Sequence, residues 1–320
     1  MPVISSRFNP PWPLRNGHLQ TILPGILKWR TRVPYQRERL ELADGDFLDL
    51  DWLPSGGRRL AILSHGLEGS SRDVTMRGMA AALHRAKWDV LAWNYRGCSG
   101  EMNRLLRLYH SGETTDLAII VGHAAEHFAT LALVGFSLGG NLVLKYLGEA
   151  RPHAAVAAAV ALSPPVNLAA SVRALDQQRG NRLYLRRLIA SVVRKVKAKA
   201  RNFPERIHES QTQGIHGFAD FDDRFTAPVH GFRDAADYWT KCSSQQFLPA
   251  ITVPTLIVSA RNDPFLTPDC FPIAEAEQND LLFLETPETG GHLGFLDSWN
   301  GGQTWAERRV IEFLAGAPAA

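Results

Sequence analysis

Residues Gly135-Phe136-Ser137-Leu138-Gly139-Gly140 stand between an unbroken apolar run, Leu131–Phe136, and a stretch of helical spacing, Leu138–Gly148. A buried strand that turns at once into a helix leaves few folds open. The strand needs neighbours, and a helix returning along the sheet makes those neighbours parallel. The turn accounts for its own glycines. Small residues two before and two after the serine let adjacent backbones come close. The helix that starts there aims free N–H groups and the positive end of its dipole at whatever sits beside Ser137. Ser137 in this G-x-S-x-G setting is a nucleophile candidate, set against the plain alternative of a serine that caps a helix.

The rest of the chain repeats the alternation. Arg39–Leu42 and Phe47–Trp52 read as a hairpin turned at Ala43-Asp44-Gly45-Asp46. Strands are expected at Leu60–Ser64, Asp89–Trp93, Ala155–Leu162, Pro254–Ala260 and Asp280–Glu285. Helices are expected at Val74–Ala86, Glu113–Phe128 and Trp305–Leu314. There is no internal repeat. The 320 residues allow one large α/β domain or two ordinary ones. Between Ser163-Pro164-Pro165 and Pro249 no strand pattern appears, and an insertion there packs over the strands' C-terminal ends. The expectation is a single domain over 1–320 with a mostly parallel central sheet and a helical cap at about 164–248.

Hydrophobic residues at 45% and charged residues at 21% fit a globular protein, and a formal charge of +3 gives no reason to invoke nucleic acid. Cys98, Cys242 and Cys270 form no C-x-x-C pair, so neither a disulfide framework nor a cysteine zinc site is implied. Met1 to Arg15 lacks the pattern of a secretory signal. Ala154–Leu162, the best apolar run, is too short to cross a bilayer. A soluble, cytoplasmic protein is expected.

A nucleophilic serine needs a base, and the base needs a carboxylate to orient it. When the serine lies on a strand-to-helix turn, the chain order is serine, acid, histidine. Asp263 follows the strand Thr255–Ala260, and His292 lies in Thr289-Gly290-Gly291-His292-Leu293-Gly294, a loop freed by glycines. Asp269 and Asp280 are weaker acid candidates, since neither sits just past a strand. For an oxyanion hole the donors are the N–H groups of Leu138 and of Leu67 in Ser64-His65-Gly66-Leu67-Glu68-Gly69. His65 is expected to brace that loop.

Several segments together resemble the AB hydrolase superfamily, family 4, the group of bacterial YheT-like esterases and eukaryotic abhydrolase-domain lipases. They are Arg15-Asn16-Gly17-His18-Leu19-Gln20-Thr21, His65 to Gly69, Asn94-Tyr95-Arg96-Gly97-Cys98-Ser99-Gly100 and His110-Ser111-Gly112-Glu113-Thr114. Gly135 to Asn141, Phe221-Asp222-Asp223, Asn262-Asp263-Pro264-Phe265 and Gly290-Gly291-His292 complete the set. The resemblance implies the α/β-hydrolase fold and the triad Ser137, Asp263, His292. It implies carboxylic-ester hydrolysis or acyl transfer, with medium-chain acyl groups favoured in eukaryotic members. Those members carry an N-terminal membrane anchor that this chain lacks, which argues against a membrane phospholipid as substrate.

Weaker signals have bland readings beside sharp ones. His18 reads as a brace for the N-terminal arm, and His110 and Glu113 as part of a helix start. His123-Ala124-Ala125-Glu126-His127 matches H-x-x-E-H, which on a helix could hold zinc, as in a zinc peptidase. Arg182–Arg201 carries Leu185, Leu188, Ile189, Val192 and Val196 on one face and Arg186, Arg187, Arg194, Lys195, Lys197 and Lys199 around the rest. The bland reading is a cap helix with a solvated basic face; the sharp one is a docking surface for anionic lipid, in weak contact, or for an acidic carrier. Leu183, Leu185, Leu188, Phe203, Phe218, Phe221 and Phe225 are expected to line an acyl channel. The combined expectation is a serine esterase acting on small-molecule, short- to medium-chain acyl esters without metal or organic cofactor. An alcohol O-acyltransferase on the same triad, a zinc peptidase through His123, Glu126 and His127, and a catalytically silent binding protein are the alternatives.

Overall fold

The protein is described by a computed structural model covering residues 3–27, 31–299 and 302–316. Nine strands make one sheet: β1 (Val3–Ile4), β2 (Gln36–Glu41), β3 (Phe47–Leu53), β4 (Arg59–Ser64), β5 (Asp89–Asn94), β6 (Thr130–Phe136), β7 (Val156–Leu162), β8 (Thr255–Val258) and β9 (Leu282–Glu285). Their spatial order is β1-β9-β8-β7-β6-β4-β5-β3-β2. Pairing is parallel throughout except at β2–β3 and β3–β5, where the hairpin adds an antiparallel edge.

The helices are α1 (Gly17–Leu27), α2 (Val74–Arg85), α3 (Thr114–Ala125), α4 (Leu138–Glu149), α5 (Leu168–Gln177), α6 (Arg182–Asn202), α7 (Phe218–Phe221), α8 (Ala227–His230), α9 (Ala235–Cys242), α10 (Ile273–Gln278) and α11 (Trp305–Gly316). Among the described residues none is long and apolar enough to cross a membrane.

The period of two along each strand decides which residues face which layer. Leu60 and Ile62 of β4 and Leu131 and Leu133 of β6 join Ile120, Val121, Leu142 and Leu144 of α3 and α4. Ala61, Leu63, Ala132, Val134 and Phe136 face the other way, onto Met76, Met79 and Leu83 of α2 and Val310 and Leu314 of α11. Both faces of the central strands are therefore buried, which is why they read as apolar runs rather than alternating ones. The expected strands and helices occur within a few residues of their expected bounds. β1 and α1 were not expected: β1 has two residues, while α1 contains Pro24 and leaves Leu19, Ile22 and Ile26 exposed. No helical period toward a core was there to read.

α5 to α9 lie between β7 and β8, and no strand is described in that segment. The insertion has its own core, in which Leu185, Ile189, Val192 and Val196 of α6 meet Phe218, Phe221 and Phe225. Its edge reaches Leu67 and Phe265, at the C-terminal ends of β4 and β8. The expected solvated basic face on α6 holds for Arg186, Arg187, Arg194 and Lys197 but not for Lys195 and Lys199. Lys199 is 1% exposed and donates to the carbonyls of Asn103, at 2.6 Å, and Leu105. Lys195 Nζ lies 2.8 Å from Glu68 Oε1 and 2.9 Å from Cys98 Sγ. Both point inward because long aliphatic stems bury well and carry the charge to fixed acceptors. Arg182, Arg186, Arg187 and Arg194 remain exposed.

Candidate active site

β6 ends at Phe136, and the chain turns so sharply into α4 that Ser137 takes φ 52° and ψ −118°. A non-glycine residue in that region is strained by about 1–3 kcal/mol and persists only where its surroundings hold it. Here Ser137 N–H donates to Leu162 O at 2.8 Å and its carbonyl accepts from Gly140 N–H at 2.8 Å. The flanking glycines are required sterically. A Cβ on Gly135 would stand 2.2 Å from Gly139 O, and one on Gly139 2.2 Å from Ser64 O.

Asp263, His292 and Ser137 arrive from three places in the chain and form one hydrogen-bonded line. Ser137 Oγ lies 2.9 Å from His292 Nε2, and His292 Nδ1 lies 2.8 Å from Asp263 Oδ2. Asp263 is 4% exposed and His292 9%. The other carboxylate oxygen, Asp263 Oδ1, accepts from Phe265 N–H at 2.8 Å, so the turn after β8 aims the carboxylate. That arrangement fixes His292 with a proton on Nδ1 and a lone pair toward the serine hydroxyl. Asp269 and Asp280 take no part; Asp269 pairs instead with Arg173 on the exposed side of α5.

Leu67 and Leu138 border the same cavity as Ser137, and Gly66 packs against the serine. No hydrogen bond among the described residues takes up either leucine's N–H. His65 is fully buried; its Nε2 accepts from Tyr95 N–H at 3.2 Å and its Nδ1 donates to Gly66 O at 2.7 Å. Burial pushes its pKa down to about 3, so it stays neutral and works as a strut beneath the loop.

The N-terminal segment, given no chemical role in the sequence, grips the loop that carries His292. Thr21 Oγ1 accepts from His292 N–H at 2.9 Å and donates to Gly17 O at 2.8 Å. Gln20, fully buried, donates to Leu14 O and Leu296 O and accepts from Leu296 N–H. Asn262 Oδ1 accepts from Gly291 N–H, and its Nδ2 donates to Arg15 O. The one available signal was the segment Arg15–Thr21 itself, a polar run in no obvious element. His18 lies outside the line of three. Its ring stacks on Tyr184 with centroids 5.8 Å apart, tying α1 to α6.

The cavity over Ser137 has a volume of about 290 Å³. Of the residues expected to line it, Leu188, Phe218, Phe221 and Phe225 do. Leu183 is 77% exposed, Leu185 points into the insertion's own core, and Phe203 only ends α6. Glu113 stands at the start of α3, as its sequence pattern predicts. Its side chain makes no cap bond and instead binds Arg107 and faces His110. Burial alone would raise its carboxyl, but His110 and then Arg107 hold it at about 2. His123 of the H-x-x-E-H match is 3.0 Å from Glu38 of β2 and edge-on to Trp52, while Glu126 and His127 are exposed.

Comparison with known proteins fits this geometry. The family model described as alpha/beta hydrolase fold matches residues 62–298. YheT of Escherichia coli (strain K12), which carries an esterase's name, is 36% identical over 97% of this chain and 93% of its own. The phospholipase ABHD3 of Mus musculus is 29% identical over 98% of this chain and 79% of its own. Among solved structures, the esterase Pf2001 of Pyrococcus furiosus matches with a TM-score of 0.59 at 16% identity, covering 98% of both chains, a likeness of fold.

Proposed function

The chain belongs to the alpha/beta hydrolase family and is a carboxylic ester hydrolase; we propose that it works through an acyl-enzyme on Ser137. In this reading His292 Nε2 takes the proton of the serine hydroxyl as Oγ attacks the ester carbonyl. The tetrahedral oxyanion is held by the N–H groups of Leu67 and Leu138. His292 then gives its proton to the departing alcohol, and the same residue activates the water that releases the acid. Asp263 keeps the imidazole in the required tautomer and stabilises its charge. No step needs a metal or organic cofactor. The observation that carries the reading is the unbroken line Asp263–His292–Ser137, ending on a strained serine at the floor of a cavity.

Residues 164–248 act as a cap over that serine, and their apolar lining supports medium-chain acyl groups as the preferred length. Each methylene that meets an apolar wall gains about 0.8 kcal/mol until the cavity ends. Two experiments test this. A fluorophosphonate labels Ser137 in the wild type and labels nothing in Ser137→Ala, whose ester turnover falls by several orders of magnitude. With aryl esters of graded length, kcat/KM rises from acetate to a medium-chain maximum and then declines. Labelling at another serine refutes the nucleophile, and a steady decline from acetate refutes the acyl channel. Added alcohol, with product analysis, separates hydrolysis from transfer to the alcohol.

A further inference from the structure

The cavity wall also carries polar side chains that ester cleavage does not use: His110, Ser111, Asp222, His230, Tyr238 and Trp239. Most are already committed within the protein. Tyr238 donates its hydroxyl to Ser111 Oγ at 2.8 Å, and Trp239 Nε1 donates to Asp222 Oδ2 at 2.8 Å. His110 Nδ1 accepts from Gly112 N–H at 3.2 Å, while its Nε2 faces Glu113 Oε2 at 3.4 Å. His230 differs. It ends α8, where Gly231 turns the chain in a left-handed conformation, and its ring rests edge-on against His110 with centroids 4.7 Å apart. Among the described residues neither of its ring nitrogens has a hydrogen-bond partner. Burial holds its pKa down at about 3. At neutral pH it therefore presents one N–H donor and one lone pair, both unmet by protein.

His110, Glu113 and His230 offer ligand atoms within 4.8 Å of one another, a spacing that suits a divalent cation. Two observations weigh against a cation. Because His110 Nδ1 accepts from Gly112, the neutral ring carries its proton on Nε2, which then has no lone pair for a metal. The guanidinium of Arg107 already occupies Glu113 and supplies the positive charge the carboxylate needs.

We propose that His230 is a hydrogen-bonding subsite for an oxygen atom carried by the substrate away from the scissile ester. The oxygen is a hydroxyl, ether or carbonyl group on the acyl or the alcohol chain. This inference rests on the ester-hydrolase reading above and narrows its substrate class to oxygenated esters. A plain hydrocarbon chain drawn past His230 shuts out water and leaves the ring's polar atoms unpaired, which costs binding; an oxygen in the same place meets them.

Matched ester pairs test it. One arm compares 4-nitrophenyl octanoate with 4-nitrophenyl hydroxyoctanoates bearing the hydroxyl at successive carbons. The other compares the octanoate esters of 1-octanol and 1,8-octanediol. In one arm the oxygenated ester exceeds its plain partner in kcat/KM by about fivefold, the worth of one neutral hydrogen bond. The arm that responds identifies the chain that reaches His230. His230→Phe brings the ratio to about one, and His230→Asn, which keeps a donor and an acceptor, restores part of it. A wild-type ratio of one in both arms, or a ratio that His230→Phe does not move, overturns the subsite while ester hydrolysis stands. No hydrolysis of any ester by the wild type removes the hydrolase reading and the subsite with it. Thermal stabilisation by zinc that His230→Phe abolishes overturns the proposal in favour of a cation site.

Discussion

Thr21→Val separates the chemistry of His292 from the scaffold that aims it. The side chain keeps its shape but loses the hydroxyl that accepts from His292 N–H and donates to Gly17 O. An amide left without its acceptor in a mostly buried loop costs about 1–3 kcal/mol. Part of that strain is relieved by movement of the loop, and the His292–Ser137 distance of 2.9 Å is the first casualty. At about 1.4 kcal/mol per factor of ten, kcat falls by about 5- to 100-fold. KM for an aryl ester changes little, because Thr21 lies outside the cavity lining. The melting temperature drops by a few degrees. Thr21→Ser retains both hydrogen bonds and keeps most of the activity. Steady-state kinetics and a melting curve on the three proteins decide the matter. A Val variant that melts lower yet turns over at the wild-type rate, or a Ser variant as impaired as Val, refutes the assignment of Thr21 as a positioning residue.

Asp222 supplies a pH prediction. Burial raises its pKa to about 7, against hydrogen bonds from Thr226 and Trp239. The folded state thus holds a proton that the unfolded chain releases near pH 4, and stability falls as pH rises between those values. Asp222→Asn flattens that fall, gaining up to about 3 kcal/mol at pH 8 relative to pH 5, as read from denaturant unfolding at both pH values. Phe225→Ala enlarges the cavity and shifts the chain-length optimum upward by one or two carbons on the aryl-ester panel; an unmoved optimum would mean that Phe225 does not end the channel. His123→Ala with His127→Ala retains most ester turnover, with or without chelator, and loss that zinc restores would revive the H-x-x-E-H reading.

The sheet and the line Ser137, Asp263, His292 were legible because each depends on local pattern. Buried parallel strands must be apolar runs, the elbow must carry Gly135 and Gly139, and the acid and base must follow later strands in order. What escaped the sequence depends on contacts between distant parts. Gln20 is a polar residue in a polar segment until Leu14 and Leu296 surround it. Lys195 and Lys199 look like any surface lysines on a basic helix, and only Glu68, Cys98 and the carbonyls near Asn103 draw them inward. Leu183 looked like lining because it is apolar; its place on the α6 turn leaves it outside. The lack of a hydrogen-bond partner for His230's ring nitrogens among the described residues has no sequence signature at all.

The grip of Thr21 on His292 and of Gln20 on Leu296 spans 271 and 276 residues of sequence. β1 pairs with β9, and residues 14–21 hold residues 291–296, so two stretches far apart in sequence are locked together beside Ser137. In the mechanism proposed above, a chain cut between these stretches keeps the Ser137 elbow and loses the hold on His292. In that mechanism ester turnover requires both stretches in place together.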